Sequence, residues 1–211
     1  MKKILLIPVL LSTSVEAQSL TNMLWPPASV DGDYFGTNAL AMDGDWLAVG
    51  TAKVPFPAAS GCWRPNIVHV YRKSGLNWIE QAALRGAHDP CLDSADGFAH
   101  AVDISGARIA VADLTPPAHV VVFDRQPHGH WNQTVISAPN PATESAFGYT
   151  LALQGDSLVV GTFPGPQDAV YVFEQSGGVW KQTQRFPGTH ATVLALDGDD
   201  LVLGAEDVFG V

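Results

Sequence analysis

A chain of 211 residues with 46% hydrophobic and 15% charged composition is globular and long enough for one good core. Its formal charge of −10 leaves no basic patch, so a phosphate backbone would be repelled and nucleic acid is excluded as a partner. Twenty glycines and 15 prolines punctuate short apolar runs, and helix formers do not gather into amphipathic blocks, which is the texture of an all-β protein.

In chain order, the N-terminus comes first. Lys2 and Lys3 precede the apolar run ILLIPVLL (4–11), and Val15-Glu16-Ala17 offers a small-x-small cleavage site before Gln18. Residues 1–17 therefore read as a secretory signal, which predicts a secreted or periplasmic protein. The apolar run is shorter than the roughly 20 residues that span a bilayer, and no later segment qualifies as a transmembrane span. No cysteine stands near the cleavage site, so a lipid anchor is not expected. Cleavage would leave 9 basic against 20 acidic residues, a net −11.

From residue 18 onward the chain repeats itself. FGTNALAMDGDWLAVGT (35–51), FAHAVDISGARIAVAD (98–113), FGYTLALQGDSLVVGT (147–162) and HATVLALDGDDLVLGA (190–205) are versions of one pattern. Gly50, Ala112, Gly161 and Gly204 end the second apolar run of each, 62, 49 and 43 residues apart. A second unit lies between them: VHVYRKSGLNW (68–78), VVVFDRQPHGHW (120–131) and VYVFEQSGGVW (170–180). Each of these is an alternating strand, a polar turn with glycine, and a tryptophan at Trp78, Trp131 or Trp180 that opens an outer strand. Tight turns at Asp43-Gly44, Ser105-Gly106, Gln154-Gly155 and Asp197-Gly198 join the first two strands, glycine supplying the positive φ. A four-stranded unit recurring near 50 residues indicates a β-propeller of antiparallel blades, and LTNMLWPP (20–27) reads as the outer strand of a preceding blade.

The Phe-Gly opening at Phe35-Gly36 and Phe147-Gly148, the Leu-Val-Val-Gly ending and the Val-Tyr-Val-Phe strand resemble FG-GAP repeats, the units of the propeller at the head of integrin α chains and in exported bacterial proteins. The resemblance runs from about residue 20 to the end, with Phe98-Ala99 and His190-Ala191 as departures from the opening pair. It implies a seven-bladed ring in the family. Here three repeats are complete and the fourth stops at Val211, which predicts an open arc more than a closed ring, truncated at its C-terminus. Open blade edges would favour self-association. Calcium-binding members of the family carry an acidic loop between the first two strands. The two-residue turns here leave no room for it, so neither calcium nor another cofactor is expected.

Function is less legible. Long connections (52–67, 85–97 and 137–146) gather on one end of the blades, where they are either binding surfaces or tolerated insertions. Cys62 and Cys91 fall in two of them and, in an exported chain, suit a disulfide. His88, Asp89, Asp93 and Asp96 make the best oxygen–nitrogen cluster, but their spacing matches no zinc or calcium site, so no metal is assigned. No catalytic motif occurs and no catalytic residue is assigned. The expectation is a non-catalytic binding or adhesion-type module for a protein or glycan, using the long loops. The alternative is an enzyme, a glycan lyase or hydrolase acting on an extracellular polymer.

Overall fold

The computed structural model describes residues 24, 34–52, 66–87, 97–140, 146–163, 165, 167–189 and 191–205. Among these residues there are strands and no helix, so no helix is long and apolar enough to cross a membrane. The first repeat forms β1 (Tyr34–Asp43), β2 (Trp46–Ala52), β3 (Ile67–Ser74) and β4 (Asn77–Arg85). The second forms β5 (Phe98–Ser105), β6 (Arg108–Asp113), β7 (His119–Arg125) and β8 (Trp131–Ser137). The third forms β9 (Thr150–Gln154), β10 (Ser157–Gly161), β11 (Ala169–Ser176) and β12 (Val179–Pro187), and the fourth the hairpin β13 (Ala191–Asp197) and β14 (Asp200–Ala205). Each complete repeat makes its own antiparallel sheet in sequence order, and among the described residues no sheet closes on itself or borrows a strand from another repeat.

The inner turns fall one residue later than the sequence suggested. Asp43, Ser105, Gln154 and Asp197 are still paired in their strands, opposite Trp46, Arg108, Ser157 and Asp200. Glycine is thus the first of two loop residues, with φ of 54° to 58° at Gly44, Gly106, Gly155 and Gly198. A positive φ at that first position suits the tight hairpin whose twist matches its strands.

Successive sheets stack face to face, so the inner strands are buried on both sides and read as unbroken apolar runs. In β10, Leu158 and Val160 pack with Ala110, Val120 and Val122 of the second sheet, while Val159 between them packs with Ala191 and Leu194 of the fourth. The outer strands touch solvent. β12 is almost wholly exposed, and β4 alternates. Trp78, Trp131 and Trp180 cover the core cluster on the N-terminal side of their own sheets. Leu24 stands eleven residues before Phe35, as Ile136 stands before Phe147. It packs on Leu47, Val49 and Tyr71 of the first sheet, as Ile136 packs on the core shared with the third.

The Phe-Gly motif has a physical cause in this stack. The phenylalanine lies edge-to-face on an aromatic ring of the third strand in each complete repeat: Phe35 on Tyr71 at 6.4 Å, Phe98 on Phe123 at 6.3 Å, Phe147 on Phe173 at 6.0 Å. The residue after it takes a positive φ, 71° at Gly36, 62° at Ala99 and 97° at Gly148. At Ala99 and Gly148 it then meets the small residue in the second strand of the preceding repeat, Gly50 or Ala112. A Cβ built on Gly50 would lie 3.2 Å from the Ala99 Cβ, and one on Gly148 would lie 3.0 Å from the Ala112 Cβ. A Cβ on Gly161 would lie 3.7 Å from the Ala191 carbonyl. The first two seams therefore each hold one glycine and one alanine, in opposite order and close contact, while the nearest atoms to a Cβ on Gly50 and Gly161 are Ala39 Cβ (2.7 Å) and Thr150 Cγ2 (2.6 Å) of their own sheets.

Gly148→Ala should cost about 3 kcal/mol, from a strained left-handed alanine and an overfilled seam. Adding Ala112→Gly should return about 1 kcal/mol of that loss relative to additivity. Strict additivity in chemical denaturation would show that the two sites do not share a seam.

Candidate functional site

Strand direction sorts the ends of the sheets. The short turns lie at one end, and the 2–3 and 4–1 connections leave from the other. At the connection end, three aromatic rings form a row across the second and third sheets. His100, near the start of β5, lies 5.4 Å from Tyr149, and Tyr149 meets Phe163 edge-to-face at 5.0 Å. His100 and Tyr149 are half-buried, while Phe163, just beyond β10, is 49% exposed. Burial lowers the His100 pKa below the ordinary histidine value, against an opposing backbone hydrogen bond at Tyr149.

Several other polar groups at this end, among the described residues, hold the fold together. The fully buried Asp113 accepts the Thr115 N–H at Oδ1 (3.0 Å), and Thr115 Oγ1 accepts the Gly97 N–H at 2.8 Å. His119 directs Nδ1 at the Pro117 carbonyl (3.0 Å) and Nε2 toward Asp113 Oδ2 (3.7 Å), so both ring nitrogens face protein oxygen. Asn66 donates to the Phe98 carbonyl at 2.8 Å, tying the first sheet to the second. A His–Asp pair so arranged ties the 113–119 connection together.

The turn end is a polar seam. Asp43 Oδ2 accepts the Gly106 N–H at 2.6 Å, and Ser105 Oγ accepts the Gly155 N–H at 2.9 Å, so the last strand residue of one repeat holds the turn of the next. Asp103 spans the same junction, accepting the Leu153 N–H at 2.7 Å and the Ile104 N–H at 2.8 Å. Its burial nevertheless pushes the carboxyl pKa up. Arg108 donates from Nε to Asp124 (2.6 Å), from Nη1 to the Gly155 carbonyl (2.5 Å) and Asp156 (3.0 Å), and from Nη2 to Gln175 (2.8 Å). Burial works against its charge, but Asp124 and Asp156 outweigh it and raise its pKa. Its guanidinium also lies 5.1 Å over Trp180.

On the outward face of the first sheet, His69 Nδ1 and Glu80 Oε1 lie 2.6 Å apart. Tyr71 beside them is pushed up to about 12 by burial and then by the Glu80 charge. The motif residues Phe35, Gly36, Gly50, Phe98, Ala112, Phe147, Gly148 and Gly161 come together as seam and core, while Gly204 ends the fourth apolar run near Val193. Cys62, Cys91, His88, Asp89, Asp93 and Asp96 lie outside the described residues. Among the described residues no three His, Cys, Asp or Glu side chains could hold a metal ion. The aromatic row and Arg108 were missed in the sequence. Aligning the position two after the motif phenylalanine would have shown Thr37, His100, Tyr149 and Thr192, a site where the repeats diverge.

The His100 shift has a sign that can be checked. The fold favours the neutral ring, so its contribution is fully present above pH 6.5 and is lost as pH falls toward the lower folded value. Asp103 acts oppositely, adding relative stability as pH falls toward 3.8. The melting temperature should therefore drop between pH 7.5 and pH 5.5, and His100→Gln should flatten that drop. Identical pH profiles for the two proteins would remove His100 from the explanation. Compared with protein-family models and with curated proteins, the chain matches none.

Proposed function

We propose that this chain is an exported binding module, a β-propeller arc of FG-GAP-type repeats with residues 1–17 as its signal peptide and 18–211 as its blades. It holds a protein or glycan at the connection end and performs no chemistry on it. The carrying observation is the aromatic row His100–Tyr149–Phe163, set on rigid strand ends beside the long connections. Rings held at strand ends present apolar area at low entropic cost and stack on sugar rings or apolar side chains alike. The arc itself is supported by successive seams in which the first strands of neighbouring sheets lie against one another. The non-catalytic reading is supported by the internal use of Asp113 and His119. An open arc would also leave blade faces for self-association.

Two experiments follow. Expressed with its N-terminus intact in an exporting host, the mature protein should begin at Gln18 by N-terminal sequencing, whereas retention in the cytoplasm with Met1 in place would contradict export. Probed on arrays of immobilised oligosaccharides and extracellular proteins, the full chain should give saturable hits. These should weaken about tenfold in the Tyr149→Ala/Phe163→Ala variant, at unchanged melting temperature within a few degrees. Hits indifferent to those substitutions would place the ligand elsewhere.

A further inference from the structure

The turn ends of the first and second seams are built on equivalent positions with opposite charge. At the second seam Arg108 is enclosed. Asp124 stands opposite it in register, Asp156 comes from the turn of the next repeat, and Gln175 from the third strand of that repeat. Strand register and the matching hydrogen bonds of the turns put Trp46, Arg72, Ala107 and Arg125 at those four positions of the first seam. The central cation has become an indole, and the acceptors around it have become two cations and an alanine.

Both guanidiniums lie on that indole, Arg72 at 5.5 Å from its centroid and Arg125 at 4.9 Å. Two positive charges therefore stand within about 10 Å of each other, roughly the Debye length at 0.1 M salt. An indole face attracts a guanidinium without accepting its in-plane N–H groups, and among the described residues neither fork has a hydrogen-bond or ion-pair partner. The nearby carboxylates do not supply one: Asp43 holds the Gly106 N–H, while Asp124 and Asp156 hold Arg108. Beside Arg72 an open recess of about 360 Å³ is lined also by Lys73, Ser74, Ile79 and Gln81. The net charge of −10 conceals this local cationic cluster.

We propose that the turn end of the first seam binds a small molecule through one oxyanion, a carboxylate, sulfate or phosphate group, held by Arg72 and Arg125. The planar forks of the two arginines match such a group, and the bound anion supplies the negative charge that Asp124 and Asp156 supply at the second seam. The recess is at the small end of ligand pockets, which begin at about 300 Å³, so the anion is borne by a body of one ring or its equivalent. A polyanion is not selected, because the chain is acidic overall and Asp124 and Asp156 line a second recess with Arg125. The site lies at the opposite end of the sheets from the aromatic row and stands or falls separately from it.

The test is heteronuclear NMR of the full chain, following the arginine Nε–H signals during titration with sodium sulfate or sodium glucuronate, against sodium chloride at equal ionic strength. Arg72→Gln and Arg125→Gln identify the two signals by their loss. In the parent both should move saturably with either anion and stay still with chloride, while the enclosed Arg108 signal should not move. Each substitution should weaken anion binding about tenfold. Arg72 is exposed, so Arg72→Gln should melt within a few degrees of the parent. Tighter binding of glucuronate than of sulfate would mark a ring-borne carboxylate as the ligand, and the reverse order a free tetrahedral anion. Shifts that grow without saturating would overturn the proposal, as would equal movement at every arginine or undiminished binding after either substitution. If Arg125→Gln did not fold, the parent titrations and Arg72→Gln would still decide.

Discussion

Two β-sheets stacked face to face can approach only as closely as the side chains between them permit, and at two seams of this protein a single methyl group stands where a second would crowd. Gly50 with Ala99 and Ala112 with Gly148 are the same contact made twice, the glycine on either side, while a Cβ on Gly161 would stand in ordinary contact, 3.7 Å, with the Ala191 carbonyl. The left-handed backbone at Ala99 and Gly148 turns the chain into that contact. It also sets the motif phenylalanine against an aromatic ring of the third strand of its own sheet. Both halves of the Phe-Gly pair thus fix how a repeat meets the repeat before it.

From that spacing follow the burial pattern and the polar seam. With sheets close-packed on both faces, the second strands become continuous apolar runs, and each cluster draws residues from two repeats. At the turn end the same proximity brings Asp43 and Ser105 onto the next repeat's glycine N–H, and lets Arg108 bridge two sheets. The stack is therefore nearly one-dimensional, each repeat leaning on its neighbours.

The repeat was legible because turn glycines and apolar runs recur in the sequence whatever the tertiary context. Strand order and the three separate four-stranded sheets followed from it directly. The inner turns were misplaced by one residue, since a Gly-containing pair does not reveal whether glycine stands first or second in the loop. The reason for glycine at Gly50 or Gly148 was not legible, because its partner lies in the neighbouring repeat, Ala99 or Ala112. His100, Tyr149 and Phe163 were passed over for the opposite reason. They break the repeat, and a search for sameness discards the positions where a scaffold acquires a surface of its own.

If one methyl group per seam couples the sheets, then a wedge placed in a single seam must loosen both of its walls. Ala112 is fully buried between the second and third sheets. Hydrogen exchange read by mass spectrometry on Ala112→Val should show faster exchange through β5–β8 and β9–β12 together, with β1–β4 close to the parent. Acceleration confined to β6 and its own sheet would contradict the coupling, and with it the view that the seam organises the fold.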